Sequence, residues 1–376
     1  MEKEFNYDYS DSQGTSVEPL DPKDFDLEGY RDYEIQLMEN NSKFWSAKEG
    51  VQVYRRFREP EVFSFGCADM KRSLSLQLSG LQKSITYKAD IANFLEPWYG
   101  IGTIASAFGV DYVWNEGQAP ATEPPFKTVK EALAYEPCPV EKTSIGKHTL
   151  DMMEYFLDST KGEVPISLTD TQSPFNVASY LIETTAYYMS IMDSPEELKM
   201  LLDRIVDLSI SFTKKQIDLL GEAIVFPGHG FAASRKFDGI GMSDDNMLML
   251  SPGQYKEIEV PANSRFGNPF GGPVFHSCGN WSQKIDAVKQ IENLRMIDGA
   301  FSKETDPNPN PAEPFRQAFA SSGIVVNARI VGDKATILEK VKELWDSEMK
   351  LIVVTYCNTP EEQQEVYDAI HKQCGV

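Results

Sequence analysis

The chain reads IVVNARIVGDKATILEKVKELWDSEMKLIVVTYC from Ile324 to Cys357, and this stretch decides the fold class. Its two apolar runs, 324–330 and 351–357, show little alternation, which is typical of parallel strands buried on both faces. Between them, apolar residues recur with helical spacing and form a single stripe. The stripe consists of Ile337, Leu338, Val341, Leu344 and Trp345. We therefore predict a strand, a helix and a second strand of one parallel sheet.

The same pattern continues toward the N-terminus. Further candidate strands, most of them followed by a helical pattern, lie at 61–65, 90–97, 165–170, 223–228, 273–278 and 294–300. About eight strands that alternate with helices favour a closed (β/α)8 barrel, a TIM barrel, over an open doubly wound sheet. We predict a single α/β barrel of this type over residues 51–376. An acidic N-terminal extension and a lead-in helix are predicted over residues 1–50.

Charge and cysteine content restrict the function classes. The 376 residues include 36 basic and 57 acidic side chains, a formal net charge of −21 at pH 7, and no segment is rich in Lys or Arg. Nucleic acid and anionic membranes are therefore not expected partners. The N-terminus lacks the pattern of a signal peptide, and the five cysteines lack the spacing of a disulfide framework. We predict a cytoplasmic protein with reduced cysteines, in which a Cys/His cluster indicates metal binding or catalysis.

A histidine and two cysteines follow predicted strands at the edge where barrel enzymes carry their active sites. His276 and Cys278 are two residues apart, so an extended strand would point both side chains to one side. Cys357 ends the run 351–357 on another strand. One histidine and two cysteines suit a zinc ion whose fourth position stays open for substrate. The alternative interpretation is that all three are packing residues, because free cysteines are often buried.

Five further residues are candidates for the same edge; four of them end or follow a predicted strand, and Asp245 precedes a predicted helix. Asp298 is expected to be a fourth, displaceable zinc ligand or a partner of the liganding histidine; the alternatives are a salt bridge or a helix cap. Tyr99 lines the pocket or plugs the barrel, and Asp170 binds substrate or caps a helix. His229, between two glycines, is an acid–base group or a surface-loop histidine. Asp245 is the candidate from an adjacent aspartate pair of which only one is expected to point inward.

From about residue 160 to its end, the chain resembles the uroporphyrinogen decarboxylase superfamily. The motifs that carry the likeness are Ser-Pro-Phe-Asn-Val-Ala at 173–178, Ser-Pro-Glu-Glu at 194–197, Ser-Asp-Asp at 243–245, Leu-Ser-Pro at 250–252, His-Ser-Cys-Gly at 276–279 and Tyr-Cys at 356–357. The fold of that superfamily is a single (β/α)8 barrel, which agrees with the alternation of strands and helices.

The resemblance also separates two chemistries. Decarboxylases of the superfamily carry an N-terminal Met-Arg-Gln-Ala-Gly-Arg motif that grips substrate propionates, whereas this chain has Tyr-Arg-Arg-Phe-Arg at 54–58, which we interpret as a solvated helix end. A second branch, the corrinoid-dependent methyltransferases that methylate coenzyme M, binds zinc through His-x-Cys and a distant Cys. His276, Cys278 and Cys357 match that pattern in residue type and order.

The resemblance to the second branch implies a zinc-dependent methyltransferase. It would move a methyl group from a methyl-corrinoid, carried by a separate partner protein, to a small thiol that zinc activates. Coenzyme M is one candidate for the thiol. The alternative function is a decarboxylase-like lyase that acts on a tetrapyrrole carboxylate, and a third is a non-catalytic protein that binds zinc or corrinoid.

Overall fold

A computed structural model describes residues 14–115 and 118–375, and its centre is a parallel β-sheet. Six strands pair in the order β1-β10-β9-β8-β7-β6, all parallel. Strands β4 and β5 form a parallel pair, and β2 and β3 form an antiparallel hairpin. The strands are β1 Gly50–Arg55, β2 Tyr112–Val113, β3 Ala121–Thr122, β4 Ile166–Ser167, β5 Ile224–Val225, β6 Ile240–Ser243, β7 Pro273–His276, β8 Met296–Ala300, β9 Val325–Arg329 and β10 Lys350–Thr355.

Two less regular segments close this sheet into a barrel. Ser243 at the end of β6 forms a parallel bridge with Gln172, beyond β4, and Leu95 forms another with Ile166 of β4. The segment before Leu95 returns to β1, where the Asp90 amide donates to the Val53 carbonyl at 2.8 Å. The six strands, the pair of β4 and β5 and the segment before Leu95 together form the wall of one barrel. The predicted (β/α)8 fold class is confirmed.

Helices surround the barrel. They are α1 Leu27–Asn40, α2 Ser42–Ser46, α3 Met70–Ser84, α4 Val129–Ala134, α5 Ser144–Thr160, α6 Pro174–Ser179, α7 Thr184–Asp193, α8 Pro195–Leu220, α9 Pro252–Gly267, α10 Ile285–Val288, α11 Ala312–Phe319, α12 Lys334–Leu344 and α13 Pro360–Cys374. Thr359 caps α13 by accepting from the Glu362 amide at 3.2 Å, as its sequence motif predicts. Within the described ranges, no helix combines the length and apolarity needed to cross a membrane.

The strand predictions were wrong at residues 61–65, and the strands β1 and β6 were not predicted. Residues 61–65 are not a strand, because the chain there forms two short 3-10 helices, Pro60–Phe63 and Phe65–Ala68. Proline at the first position of the former presets a helical φ. The first strand is β1, which buries polar residues as well as apolar ones and so lacks an apolar run. The short strand β6, Ile240–Ser243, was also missed.

The lead-in segment packs against the barrel. In the predicted extension 1–50, residues 1–13 lie outside the described ranges, and α1 and α2 precede β1. Tyr30 of α1 is fully buried, and its hydroxyl donates to the Asn93 carbonyl at 2.6 Å. Burying a large aromatic ring together with a satisfied hydroxyl anchors this helix to the barrel.

Side chains alternate between two cores along each strand. In β10, Leu351 and Val353 pack with residues of the surrounding helices, whereas Ile352 and Val354 pack with Val274 of β7 inside the barrel. Successive side chains of a strand point to opposite faces. This parity decides which residues beyond each strand's end face the mouth of the barrel.

Candidate metal and substrate site

The candidate site is a cleft of about 370 Å³ at the carboxyl ends of the strands. Parallel pairing places four residues side by side in one layer, in the order Ser243, His276, Asp298, Asn327. In a (β/α)8 barrel this edge is where active sites are built, because the loops that follow the strands converge there.

Three ligand-type atoms converge at this layer. His276 Nε2 lies 3.6 Å from Cys278 Sγ and 3.7 Å from Asp245 Oδ1, and atoms of all three residues lie within 4.8 Å of one another. The Cys278 amide donates to Asp245 Oδ1 at 2.7 Å, which fixes that carboxylate beside the cysteine. The predicted orientation of His276 and Cys278 toward one point is therefore found. We call these three residues the His276 cluster.

The spacing of the His276 cluster fits a zinc ion. A tetrahedral zinc with bonds of roughly 2.0–2.3 Å separates its ligand atoms by about 3.3–3.7 Å. The two measured separations, 3.6 and 3.7 Å, lie at the upper end of that range. An imidazole, a thiol and a carboxylate are all zinc ligands. His276 and Cys278 also line the cleft, which leaves room beside them for a fourth ligand. The cluster can hold a zinc ion without a rearrangement of the strands.

His276 is held from behind by a buried network. Its Nδ1 lies 2.6 Å from Asp298 Oδ2, and Asp298 also accepts from Arg329 Nε at 3.0 Å and from Asn327 Nδ2 at 2.5 Å. Burial alone would lower the pKa of His276, but Asp298 and Cys278 raise it to about 10. A carboxylate at Nδ1 leaves Nε2 directed toward the cluster, as in many metal-binding histidines.

Asp298 therefore lies behind the histidine. Burial would raise the pKa of this carboxyl, but Arg329 and His276 outweigh burial and lower it to about 2. Both of its oxygens accept hydrogen bonds, so Asp298 is a partner of His276 and also forms the salt bridge that was the alternative interpretation, with Arg329. Sequence reasoning missed Asn327 and Arg329, although their i, i+2 spacing inside an apolar run was a usable signal.

Cys357 is not brought into the His276 cluster. It is buried in the core between the barrel and the helices, and burial raises the pKa of its thiol to about 12. Its neighbour Tyr356 instead belongs to the core inside the barrel. Alternation along the extended chain explains this. Cys357 lies an even number of residues after Leu351 and Val353, so its side chain points to the same face as theirs. Among the described residues, Asp245 provides the third ligand-type atom beside those of His276 and Cys278.

Arginines line the cleft, and this corrects the interpretation of 54–58 as a solvated helix end. Arg55 ends β1 and is 2% exposed, while Arg56 is buried and contacts Glu96 Oε1 at 3.3 Å. Arg58 lies with its guanidinium carbon 4.7 Å from the Phe63 ring centroid. The segment is a strand end in which Arg55 donates to the Cys357 carbonyl, while Arg56 and Arg58 line the cleft.

Arg58 differs from the other cleft arginines in its surroundings. Arg56 and Arg329 each contact a buried carboxylate, whereas no ion pair of Arg58 occurs within the described ranges. Burial and repulsion from Arg56 lower the pKa of Arg58 to about 10. An uncompensated guanidinium in a cleft favours an anionic ligand.

The remaining predicted pocket residues divide into two groups. His229 lines the cleft, and its Nδ1 lies 3.0 Å from Glu96 Oε2. Asp170 is buried, interacts electrostatically with His229, and accepts from Gln172 Nε2 at 3.0 Å; burial raises its pKa. Tyr99 instead stacks on His148 with ring centroids 4.1 Å apart and is not among the residues that line the cleft.

The family model described as uroporphyrinogen decarboxylase (URO-D) matches residues 52–360. The chain belongs to the uroporphyrinogen decarboxylase family. The matched region begins within β1, so it includes the arginine segment as well as the His276 cluster. Among curated protein sequences, none matches the chain.

Two solved structures are similar to this uroporphyrinogen decarboxylase family member, and the first of them shares its fold. A methyltransferase from Methanosarcina mazei is 14% identical, superimposes with a TM-score of 0.57, and the match covers 95% of this chain and 98% of that chain. A B12-independent methionine synthase from Shewanella sp. W3-18-1 is 11% identical with a TM-score of 0.46, covering 81% of this chain and 87% of that chain. At such identity the first likeness concerns the fold, and function has to be argued from the site.

Proposed function

We propose that this protein is a zinc-dependent methyltransferase that moves a methyl group from a methyl-corrinoid, carried by a partner protein, to a small thiol. The observation that carries the proposal is the His276 cluster, in which His276 Nε2 lies at zinc-like distances from Cys278 Sγ and Asp245 Oδ1 beside an open cleft. His276 and Cys278 would hold the ion, with Asp245 in the third position. The likeness in fold to the Methanosarcina mazei methyltransferase is consistent with this reaction class.

Each residue of the cluster has a distinct part in this proposal. A zinc ion, when bound, would lower the pKa of a thiol at its open position and so supply a nucleophile near neutral pH. Asp298 holds the Nδ1 proton of His276, so that Nε2 faces the cluster and would give up its own proton when zinc binds. The Cys278 amide holds Asp245 in place. The acceptor sulfur then takes the methyl group without its bonding electrons, which remain with the corrinoid.

We infer that the acceptor thiol carries an anionic group. Arg58 lines the same cleft as His276 and Cys278, and its charge is not paired within the described ranges. A sulfonate or carboxylate on the acceptor would supply the missing partner, and a charge-assisted hydrogen bond of this kind contributes about 1.5–3 kcal/mol. Coenzyme M, a thiol with a sulfonate, meets this requirement.

Replacing Arg58 with glutamine is expected to raise KM for 2-mercaptoethanesulfonate about 10- to 100-fold, because the charge-assisted contact is lost. With the neutral thiol 2-mercaptoethanol, the same variant should keep the KM of the unchanged protein. Steady-state kinetics with both thiols measure the difference. Arg72, an exposed arginine paired with Glu61, provides the matched control variant Arg72→Gln. Equal losses with both thiols would contradict an anion-binding role for Arg58.

A decarboxylase-like reaction on a tetrapyrrole carboxylate is the second candidate. The buried strand end with Arg56 and Arg58 favours it, because two arginines at the mouth of the barrel can bind a substrate carboxylate. The His276 cluster has no part in that reaction. We favour methyl transfer because it uses both the arginines and the cluster.

One pair of assays separates the candidates. Zinc-loaded protein is mixed with methylcobalamin and 2-mercaptoethanesulfonate, and the loss of the methyl-cobalt absorbance and the methylated thiol are measured. Product that depends on both protein and zinc supports methyl transfer. Product with uroporphyrinogen, but none with methylcobalamin, would instead support the decarboxylase. Zinc binding without either product would support the third candidate, a non-catalytic binding protein.

A further inference from the structure

A second histidine faces the cleft in a setting similar to that of His276. His229 Nδ1 lies 3.0 Å from the carboxylate of Glu96, and Arg56 contacts the same carboxylate at 3.3 Å. Burial would raise the pKa of Glu96, but Arg56 and His229 outweigh it and lower the value to about 2. His229 is therefore backed by a carboxylate that is ionised at any working pH, and an arginine neutralises that carboxylate in turn.

The geometry around His229 fixes its ring and leaves one nitrogen available. The ring lies 5.3 Å from the Phe63 ring and 6.4 Å from the Trp98 ring, centroid to centroid. The flanking Gly228 and Gly230 have φ values of 124° and 88°, which side-chain-bearing residues rarely adopt. Since Glu96 engages Nδ1, the tautomer with its proton there exposes Nε2 as an acceptor. Within the described ranges, Nε2 has no hydrogen-bond partner.

His229 is separate from the candidate metal ligands. The group of ligand-type atoms within 4.8 Å contains Asp245, His276 and Cys278 but not His229, although His229 lines the same cleft. The charged groups that face it are Glu96 and Arg56 behind the ring, Arg58 in the cleft, and the buried Asp170. A thiol bound at the His276 cluster would thus share the cleft with a free imidazole nitrogen.

We propose that His229 is the base that accepts the proton of the acceptor thiol. The inference rests on the proposed function. The S–H bond breaks, its electron pair stays on sulfur, and the proton moves to His229 Nε2, while Nδ1–H remains donated to Glu96. The sulfur then bonds to the methyl carbon, the methyl-corrinoid keeps the electron pair of the broken cobalt–carbon bond, and His229 releases the proton to solvent. A positioned base of this kind accelerates such a step by about 10²–10⁴-fold.

The test compares the unchanged protein with His229→Asn. Asparagine places an N–H donor near the position of Nδ1, so Glu96 keeps a partner while the basic nitrogen is removed. We expect zinc content to stay the same and methyl transfer from methylcobalamin to 2-mercaptoethanesulfonate to fall about 100-fold at pH 7. The deficit should shrink as the pH rises, because the thiol then ionises without the help of a base. His229→Gln repeats the test if His229→Asn fails to fold.

Proton counting gives a readout that does not depend on methyl transfer. Calorimetry of 2-mercaptoethanesulfonate binding to the zinc-loaded protein, in buffers of different ionisation enthalpy, measures the protons released for each thiol bound. We expect His229→Asn to release about one proton more than the unchanged protein, because the variant has no base to hold it. His371→Gln is the matched control, since His371 bonds to Asp90 through Nε2, remote from the cleft residues.

Several outcomes would overturn the assignment of His229. They are an equal proton count in variant and unchanged protein, or a rate deficit that stays constant over all pH values. Failure of the proposed function looks different, because then thiol binds and protons are counted but the unchanged protein transfers no methyl group. If 2-mercaptoethanesulfonate does not bind the zinc-loaded protein at all, the inference of an anionic acceptor thiol is wrong, and the assignment of His229 falls with it.

Discussion

Replacing Cys278 with serine is expected to lower bound zinc from about one ion per chain to nearly none. Cys278 Sγ is 3.6 Å from His276 Nε2, and a serine hydroxyl is a much poorer zinc ligand than a thiolate. Cys357→Ser should leave the zinc content unchanged, because that thiol lies in the core between barrel and helices. Both proteins are measured by elemental mass spectrometry after dialysis, with folding checked by circular dichroism.

Asp245→Asn decides the third ligand. If Asp245 completes the site, this variant should bind zinc at least 10-fold more weakly than the unchanged protein, because a neutral amide oxygen replaces a carboxylate. The neighbouring Asp244→Asn is not a suitable control, since Asp244 is buried and accepts from Ser173 and Asn263. Asp286→Asn is the better one, because Asp286 is exposed and lies outside both the cleft and the cluster. Zinc loss in Cys357→Ser but not in Asp245→Asn would restore the three-ligand set expected from the sequence.

Asp298→Ala is expected to destabilise the metal-free protein by about 3–5 kcal/mol, because it leaves the buried guanidinium of Arg329 without its carboxylate. Urea unfolding in the presence of a chelator measures the loss. The folded pKa of Asp298, about 2, lies below the ordinary value of 3.8. The stabilisation from this carboxylate is therefore fully present above about pH 4 and is lost as the pH falls toward 2.

The double variant Asp298→Asn/Arg329→Met is the control for this prediction. Removing both charges leaves no unpaired ion, so most of the lost stability should return. Zinc affinity should nevertheless stay reduced about 10- to 100-fold in the double variant, because the carboxylate that orients His276 is gone. If the free energy of unfolding of Asp298→Ala instead differs from that of the unchanged protein by less than about 1 kcal/mol, the difference is only the contribution of a surface ion pair. That result would show that the buried ion pair does not stabilise this network.

The sequence by itself determined the fold class and two of the three residues of the His276 cluster. Alternating strands and helices predicted the barrel, and the apolar strand 324–330 corresponds to β9 within one residue at each end. The His-x-Cys pair was correctly oriented, because residues i and i+2 of an extended chain point the same way regardless of what surrounds them. These are local properties, so a single sequence carries them.

The first strand, β1, was not predicted, because strands were sought as apolar runs and β1 contains buried polar residues. β1 carries Gln52 and Arg55 in buried positions, and Arg56 and Arg58 follow it into the mouth of the barrel. Charged residues in a short segment normally indicate a solvated surface. Here Glu96, 40 residues away in the chain, lies opposite Arg56. Its carboxylate offsets the cost of burying the Arg56 guanidinium.

Cys357 and Asp245 show what only the tertiary structure decided. The strand β10 is apolar on both faces, so its sequence does not reveal whether Tyr356 or Cys357 faces the interior. The register of β10 against β9 and β1 turns Cys357 toward the helices. Asp245 joins His276 and Cys278 because β6 pairs with β7, a neighbour relation between residues about 30 positions apart. Which side chains meet depends on strand order and parity, and both are properties of the closed barrel rather than of any one segment.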